Sequence, residues 1–337
     1  MAMPASKCRF APTRKSPTVF RVNEISQAFV LGAGLGTRLR PLTDGLPKPL
    51  VPIFQKPLIT FTIDHLIDLG VQSFVINTHR LPEAFSQVFV DNRYDNAAVR
   101  LVNEPVLLGT GGGIKNVEPL LGSKPFVVYS GDILTDVDLR PLIEDHFRNK
   151  NDVTLGLRRN TGMGAGVAMR NGRVQAISNE SKPLENFDYA NISVWNPEIF
   201  PRIPSGRHLS FIPVLIRWIS EGGKIGGVPL DEGEWFNIGT RADYFAVHRM
   251  ASKQGWRPHY VRGADWANPI HASATVDPTA QLRGCSVVGP ECRVGPEAIL
   301  EDTILWPGSQ IASRSDLLGC IVRSHQKVTG IHRNTDI

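Results

Sequence analysis

The C-terminal fifth of the chain repeats every six residues, and no other feature restricts the possible folds as strongly. Ile270, Val276, Leu282, Val288, Val294, Leu300 and Trp306 are large and apolar at a constant step of six, and Ala274, Ala280, Ser286, Cys292 and Ala298 keep the same step with small side chains. A half-buried strand alternates every second residue and a helix returns to one face every ~3.6, so neither element makes this pattern. One inward residue in six fits a parallel β-helix, whose short strands stack coil upon coil around a narrow apolar prism. Leu318 continues the series less cleanly. A β-helix is therefore expected over residues 269–330, entered through a linker at 251–268 that carries Trp256, Pro258 and Trp266 and is closed by Pro269. Because such a repeat stacks mainly on itself, what precedes it is expected to fold without it.

The rest of the chain has another texture. Residues 1–24 hold Lys7, Arg9, Arg14, Lys15 and Arg21 among Ser, Thr and Pro, with no period that would bury a face, and read as a mobile tail. From Ile25 to about residue 250 strand-like and helix-like runs alternate, which predicts an α/β domain with a doubly wound sheet of parallel βα units. Pro57 and Gly70 punctuate one helix, Pro82 opens another, and Ser73–Asn77, Val99–Asn103 and Phe126–Asp132 read as buried strands, the last ending in a carboxylate. Beyond Asp152 the strands shorten: Val153–Leu157, Gly166–Met169 and Arg173–Ile177 are expected as antiparallel pieces at the sheet edge, with Asn171-Gly172 as a hairpin signal between the last two. Leu209 to Ile219 has helical apolar spacing.

The chemistry concentrates in Gln27–Ile53, which reads QAFVLGAGLGTRLRPLTDGLPKPLVPI. Gly32, Gly34 and Gly36 omit every other side chain, so backbone N–H groups can close on an anion, and Arg38 and Lys48 add charge. The spacing is neither G-x-G-x-x-G nor G-x-x-x-x-G-K-[ST]. Pro41, Pro47, Pro49 and Pro52 deny donors to a long helix, so the segment is expected to wrap its ligand as an extended lid. A second cluster, Gly109 to Gly113, lies where a strand should end and a helix begin, a place where backbone can approach a base or ribose. Asp132 ends a buried strand and points at the crevice beyond the strand ends, where a hard carboxylate facing a triphosphate suits Mg²⁺. Asp136 and Asp138 are expected to cap the helix that starts near Leu139.

The run L-G-x-G-x-G-T-R-L-R-P-L-T followed by P-K-P-L-V-P resembles the signature of the sugar-1-phosphate nucleotidylyltransferases, and the likeness extends over residues 25–330. It implies a Rossmann-like doubly wound mixed sheet, the nucleotide-diphospho-sugar transferase fold, followed by a left-handed β-helix that commonly builds homo-oligomer contacts. Nucleotide contacts are implied for Leu31, Gly32, Ala33, Gly34, Gly36 and Thr37, and for Gly109, Thr110, Gly111 and Gly112. Arg38, Lys48, Asp132 and Lys182 are the implied catalytic residues; Gly166, Glu180, Lys182 and Asn191 are the implied sugar contacts. The Glu-Lys-Pro element of the family falls on Ser181-Lys182-Pro183, so Glu180 is the candidate to supply the missing acid. The second metal motif falls on Glu234 to Thr240, where Asn237 stands in place of the usual Asp beside the first ligand Asp132. A neutral amide gives a cation an oxygen but no charge. The implied reaction joins a sugar 1-phosphate to a nucleoside triphosphate with Mg²⁺, releasing pyrophosphate. The segments at Asn77 and Thr110 resemble the branch holding mannose-1-phosphate guanylyltransferases and N-acetylmuramate-1-phosphate uridylyltransferases, and the β-helix tilts the reading to the former. Asn237 also motivates a catalytically weak regulatory subunit that binds an NDP-sugar. A hexapeptide acyltransferase, with His271 and His325 as the nearby bases, fits least.

Composition narrows the partners. With 337 residues, 42% of them apolar, the chain is long enough for two domains, and its net charge of +5 comes from scattered Lys and Arg. Without a basic run interleaved with aromatics, nucleic acid is not the expected partner; small anionic substrates are. No apolar run spans a bilayer and no signal-peptide core is present, so no membrane association and a cytoplasmic location are expected. Cys8, Cys285, Cys292 and Cys320 form no C-x-x-C pair, which argues against zinc and against a disulfide framework.

Overall fold

The computed structural model of the chain describes residues 25–159, 164–178 and 187–337, so the basic N-terminal tail lies outside the described residues. In chain order the N-terminal domain contains β1 (Gln27–Leu31), α1 (Leu58–Asp68), β2 (Ser73–Thr78), α2 (Pro82–Val88), β3 (Arg93–Tyr94), β4 (Ala97–Asn103) and α3 (Gly109–Asn116). There follow β5 (Phe126–Ser130), β6 (Ile133–Thr135), α4 (Arg140–Asn149), β7 (Val153–Arg159), β8 (Gly166–Arg170), β9 (Arg173–Ile177) and β10 (Phe187–Trp195). The domain closes with α5 (Phe211–Ser220), β11 (Ile225–Pro229), β12 (Trp235–Asn237) and α6 (Arg241–Lys253).

Ten of these strands form one mixed sheet in the order β8-β9-β11-β7-β10-β5-β1-β2-β4-β3. β5, β1, β2 and β4 are parallel, whereas β10 runs antiparallel to both β5 and β7. Alternation along β1 shows why the sheet is covered on both faces. Ala28 and Val30 pack with Ile59 and Ile63 of α1, while Phe29 packs with Ile114 of α3 and Phe211 of α5. The chain leaves β1 on one side to make β2 and reappears on the other side as β5. Connections therefore diverge beyond Leu31 and Ser130, and that parting is where an open α/β sheet holds its ligand. At the far edge, Asn171 and Gly172 adopt φ of +50° and +73° and turn β8 into β9, as the Asn-Gly signal requires. Of the short strands expected at the edge, β7 lies inside the sheet, parallel to β11.

The C-terminal residues stack in three parallel sheets, through 275–276, 281–283 and 287–288 and their successors, the arrangement of a left-handed β-helix. The last coil continues beyond 330, with a strand at Ile331–Arg333 and a bridge from Ile321 to Asp336. The six-residue step holds only as far as Leu300. Val276 pairs with Val294, eighteen residues on, but Val294 pairs with Ile311 and Val288 with Leu305, seventeen on. Each later coil has lost one residue at a corner, so Leu305 and Leu317, not Trp306 and Leu318, fill the prism.

Trp306 is buried for a different reason. It belongs to an apolar cluster that contains Leu39 and Leu42 of the phosphate loop, Phe61 of α1, Tyr244 of α6, Trp266, and Ile304 and Ile321 of the β-helix. Its indole Nε1 donates to Tyr244 Oη at 3.0 Å, and that hydroxyl donates to Pro52 O at 2.5 Å. His248, its pKa pushed down to about 4 by burial, accepts from Phe54 N through Nε2 at 3.1 Å and holds the hairpin behind the loop. Arg241 pairs with Asp336 at 2.8 Å, and Arg323 donates to Pro41 O. α6 runs to Lys253, and Tyr260, Trp266 and Ala267 of the following segment are buried in the same cluster. The tail thus shares its core with the domain before it, at variance with the expected independence. Trp306→Ala should cost about 3–5 kcal/mol and move one common unfolding transition in urea. Two transitions, of which only one moves, would show that the units unfold separately.

Candidate active site

Each glycine of the phosphate loop has its own cause. A Cβ on Gly32 would lie 2.6 Å from Asn77 O, so glycine is needed where the chain leaves β1 against β2, and its N–H is already given to Asn77 Oδ1 at 2.8 Å. Gly36 turns with φ of +64°, and its Cβ would meet Lys48 Cβ at 2.9 Å. Gly34 faces open space. Only single helical turns, Thr37–Leu39 and Lys48–Leu50, interrupt the segment, as its prolines dictate.

Arg38 and Lys48 are held differently. Lys48 is buried and paired with Asp132 beyond β5, whose Oδ1 accepts from Ser130 Oγ at 2.7 Å. Desolvation pushes the Asp132 pKa upward, but the Lys48 charge and the hydrogen bonds from Lys48 and Ser130 together outweigh it, so the carboxyl sits below its ordinary value. Arg38 is exposed and makes no hydrogen bond or ion pair among the described residues. Its guanidinium lies on Gly239, where a Cβ would be 2.9 Å from Nη2 and 3.1 Å from Cζ.

β12 pairs antiparallel with β6, opposing Asn237 to Ile133, and Ile238 N donates to Asp132 O at 3.1 Å. Asn237 therefore stands beside Asp132, and its Oδ1 is buried with no hydrogen-bond partner among the described residues. A buried unpaired oxygen of this kind costs about 1–3 kcal/mol, a cost that a cation would remove. Asp132 and Asn237 thus fit a hard divalent ion as one carboxylate and one amide oxygen. No group of three or more His, Cys, Asp or Glu side chains converges among the described residues, so such an ion would take most of its oxygens from bound phosphate.

The second glycine cluster is not a loop ahead of a helix: Gly109 to Gly113 are residues of α3 itself. Packing explains them. A Cβ on Gly112 would lie 2.4 Å from Arg207 O and one on Gly111 2.9 Å from Phe211 N, while the N–H groups of Gly111 and Gly112 donate to Leu209 O. Leu108 N, at the start of the helix, donates to Glu104 Oε2 at 3.0 Å, so a protein carboxylate already meets the positive helix end. Gly109 and Thr110, by contrast, border a cavity with Ala33, Gly34, Lys48 and Asp132.

Gly166 opens β8, and Asn191 adopts φ of +61° where the register between β10 and β7 shifts. A non-glycine residue in this conformation at a bulge re-aims its neighbourhood, as functional sites commonly do. Glu180, Ser181 and Lys182 lie outside the described residues. Asp138 accepts from Arg140 N at 3.0 Å and caps α4. Asp136 instead accepts from Glu234 N and Trp256 Nε1, both at 2.6 Å, and braces the β6–β12 ribbon. Asn77 and Glu104 escaped sequence reasoning as side chains of the site; a polar residue at the carboxyl end of an otherwise apolar strand was their only signal.

Residues 27–254 match the Nucleotidyl transferase family. The chain belongs to that family. It is a nucleotidyltransferase, and it is 32% identical over 310 residues to mannose-1-phosphate guanylyltransferase of Mycobacterium tuberculosis, covering 88% of this chain and 82% of that protein. To N-acetylmuramate alpha-1-phosphate uridylyltransferase of Neisseria meningitidis serogroup B it is 30% identical over 217 residues, 64% of this chain and 93% of that protein. The solved inositol-1-phosphate CTP transferase of T. maritima shares the fold, with a TM-score of 0.58 at 20% identity over 68% of this chain and 97% of that one.

Gly239→Ala should keep the stability within ~0.5 kcal/mol, because only the end of a flexible side chain must move. By displacing Arg38 it should lower nucleotidyl transfer about tenfold or more. A variant with the original rate would show that Arg38 does not work from its seat on Gly239.

Proposed function

We propose that the chain joins a nucleoside triphosphate to a sugar 1-phosphate, releasing pyrophosphate and forming an NDP-sugar, with GTP and mannose 1-phosphate as the pair. The observation that carries the reaction is the meeting, at the parting of β1 and β5, of an unpaired Arg38, the Lys48–Asp132 pair and the unpartnered Asn237 Oδ1. The mannose reading is supported by the guanylyltransferase relative, whose likeness covers 88% of the chain. The uridylyltransferase relative, covering 64%, supports N-acetylmuramate 1-phosphate with UTP as the second reading.

A phosphate oxygen of the sugar 1-phosphate attacks the α-phosphorus in line. The new P–O bond forms as the bond from the α-phosphorus to the bridging oxygen breaks, and the electron pair leaves with pyrophosphate. The attacking oxygen is already ionised, so no general base is required, and the protein contributes positioning and charge. Arg38, free and exposed, draws the leaving pyrophosphate. Lys48 faces the approaching phosphates beside Asp132, and Lys182 is assigned to the sugar phosphate. Gly34, Gly109 and Thr110 border the nucleotide, with Gly166 and Asn191 toward the sugar, and the resemblance assigns Glu180 to the sugar hydroxyls. Asp132 and Asn237 would hold Mg²⁺, which when bound neutralises phosphate charge. Such substrates fit a cytoplasmic enzyme, and among the described residues no helix is long and apolar enough to cross a membrane.

Pyrophosphate release, measured with Mg²⁺ across a panel of NTPs and sugar 1-phosphates, should be greatest with GTP and mannose 1-phosphate. Arg38→Ala should reduce it about a hundredfold or more without loss of fold, and an undiminished rate would remove the pyrophosphate role. Asn237→Asp adds one charge at nearly constant volume and should lower the half-saturating Mg²⁺, whereas Asp132→Asn should abolish turnover. A wild type inert with every pair, beside an active Asn237→Asp variant, would instead identify an NDP-sugar-binding regulatory subunit.

A further inference from the structure

We propose that Asn77 and Glu104 form a clasp that sets the gap between the two nucleotide-binding segments and so positions the triphosphate. The proposal rests on the nucleotidyl-transfer reading above. Both side chains are buried, at 2% and 1% exposure, and Glu104 forms no ion pair among the described residues. An isolated buried carboxylate is costly unless hydrogen bonds compensate it. Here they do so along one line. Gly32 N donates to Asn77 Oδ1 at 2.8 Å, Asn77 Nδ2 donates to Glu104 Oε1 at 2.8 Å, and Leu108 N donates to Glu104 Oε2 at 3.0 Å. The line runs from the first residue of the phosphate loop, past the ends of β2 and β4, to the start of α3. Its main chain is tied down as well: Glu104 N donates to Thr78 O at 2.7 Å, and the imidazole of His79 meets Glu104 O at 2.7 Å.

One glycine that touches no ligand space, Gly113, is accounted for by this arrangement. A Cβ on Gly113 would lie 2.9 Å from Asn77 Nδ2 and 3.0 Å from Glu104 Oε1. The polarity is equally specific. Both ends of the line, Gly32 N–H and Leu108 N–H, are donors, so the two side chains between them must offer an acceptor outward at each end and one donor between themselves. One amide and one carboxylate satisfy that demand; two amides or two carboxylates do not. Without the carboxylate nothing orients the Asn77 amide, and the loop and the helix, which face each other across the cavity, lose their common strut.

Either order of amide and carboxylate completes the line, and this gives the test. Asn77→Asp sets two carboxylates against each other, and Glu104→Gln turns an amide N–H₂ toward another donor. In the double variant Gly32 N–H again meets a carboxylate, the amide introduced at position 104 donates to that carboxylate, and Leu108 N–H meets the amide oxygen, at unchanged net charge. The full-length chain, its two single variants and the double variant are compared in KM for GTP, KM for mannose 1-phosphate and melting temperature, with UTP in parallel. Amide hydrogen exchange at Gly32 and Leu108 is followed in the same proteins. Each single variant should raise the KM for the nucleotide about tenfold, leave that for the sugar phosphate within about twofold, and lose protection at both amides; the double variant should recover to within about threefold of wild type.

A double variant no better than the worse single, or singles that lower the melting temperature while both KM values rise together, would overturn the clasp. So would a Glu104→Gln variant that changes the accepted base while both amides stay protected, since Glu104 would then read the base. If the wild type turns over no substrate pair, the reaction reading fails. The exchange measurement still decides the clasp.

Discussion

A buried ammonium must find an anion, and in this chain Lys48 finds Asp132. That pairing ties the far end of the phosphate loop to the carboxyl end of β5 and so closes the loop across the place where β1 and β5 part. The remainder of the site follows from it. With Lys48 drawn inward, Arg38 is left outside on the other limb of the loop, against a glycine that leaves it room. With Asp132 held ionised, the adjacent ribbon brings the uncharged Asn237 next to a fixed negative charge, which is the arrangement a cation can complete.

The loop is steadied from behind by apolar packing. Leu39 and Leu42 enter the cluster that also buries Tyr244 and Trp306, so the β-helix and α6 together form the floor on which Arg38 and Lys48 are presented. A single indole-to-hydroxyl bond and the hydroxyl-to-carbonyl bond after it connect the β-helix to the residue that ends the loop, Pro52. Domain and tail are continuous at the level of packing, although their sequence textures differ completely.

Glycine serves several physical ends between β1 and the end of α3. Gly36 supplies a positive φ, Gly32 and Gly112 allow backbone to approach backbone, and Gly113 leaves space for a buried polar pair. A glycine-rich segment near a ligand is easily read as a row of free N–H donors. In this chain the N–H groups of Gly32, Gly111 and Gly112 are already committed to Asn77 and Leu209, which leaves Gly34, Gly109 and Thr110 nearest the cavity.

The sequence alone determined the α/β alternation, the glycine- and proline-punctuated loop that carries Arg38 and Lys48, Asp132 at a strand end, and the β-helix. Each of these rests on a local rule: a periodicity, a proline's missing donor, or a carboxylate following an apolar run. Tertiary structure decided what depends on separation in space. One residue lost at a coil corner moved Leu305 and Leu317 into the prism and freed Trp306 for the interdomain core, and no six-residue template registers such a loss. Packing of residues 207–211 on α3, and not the need for a ligand, explains Gly111 and Gly112 as helical residues. The pairing of Asn77 with Glu104 joins residues twenty-seven positions apart, and no local pattern links one to the other, because hydrogen-bond complementarity exists only once three strands have set their ends side by side.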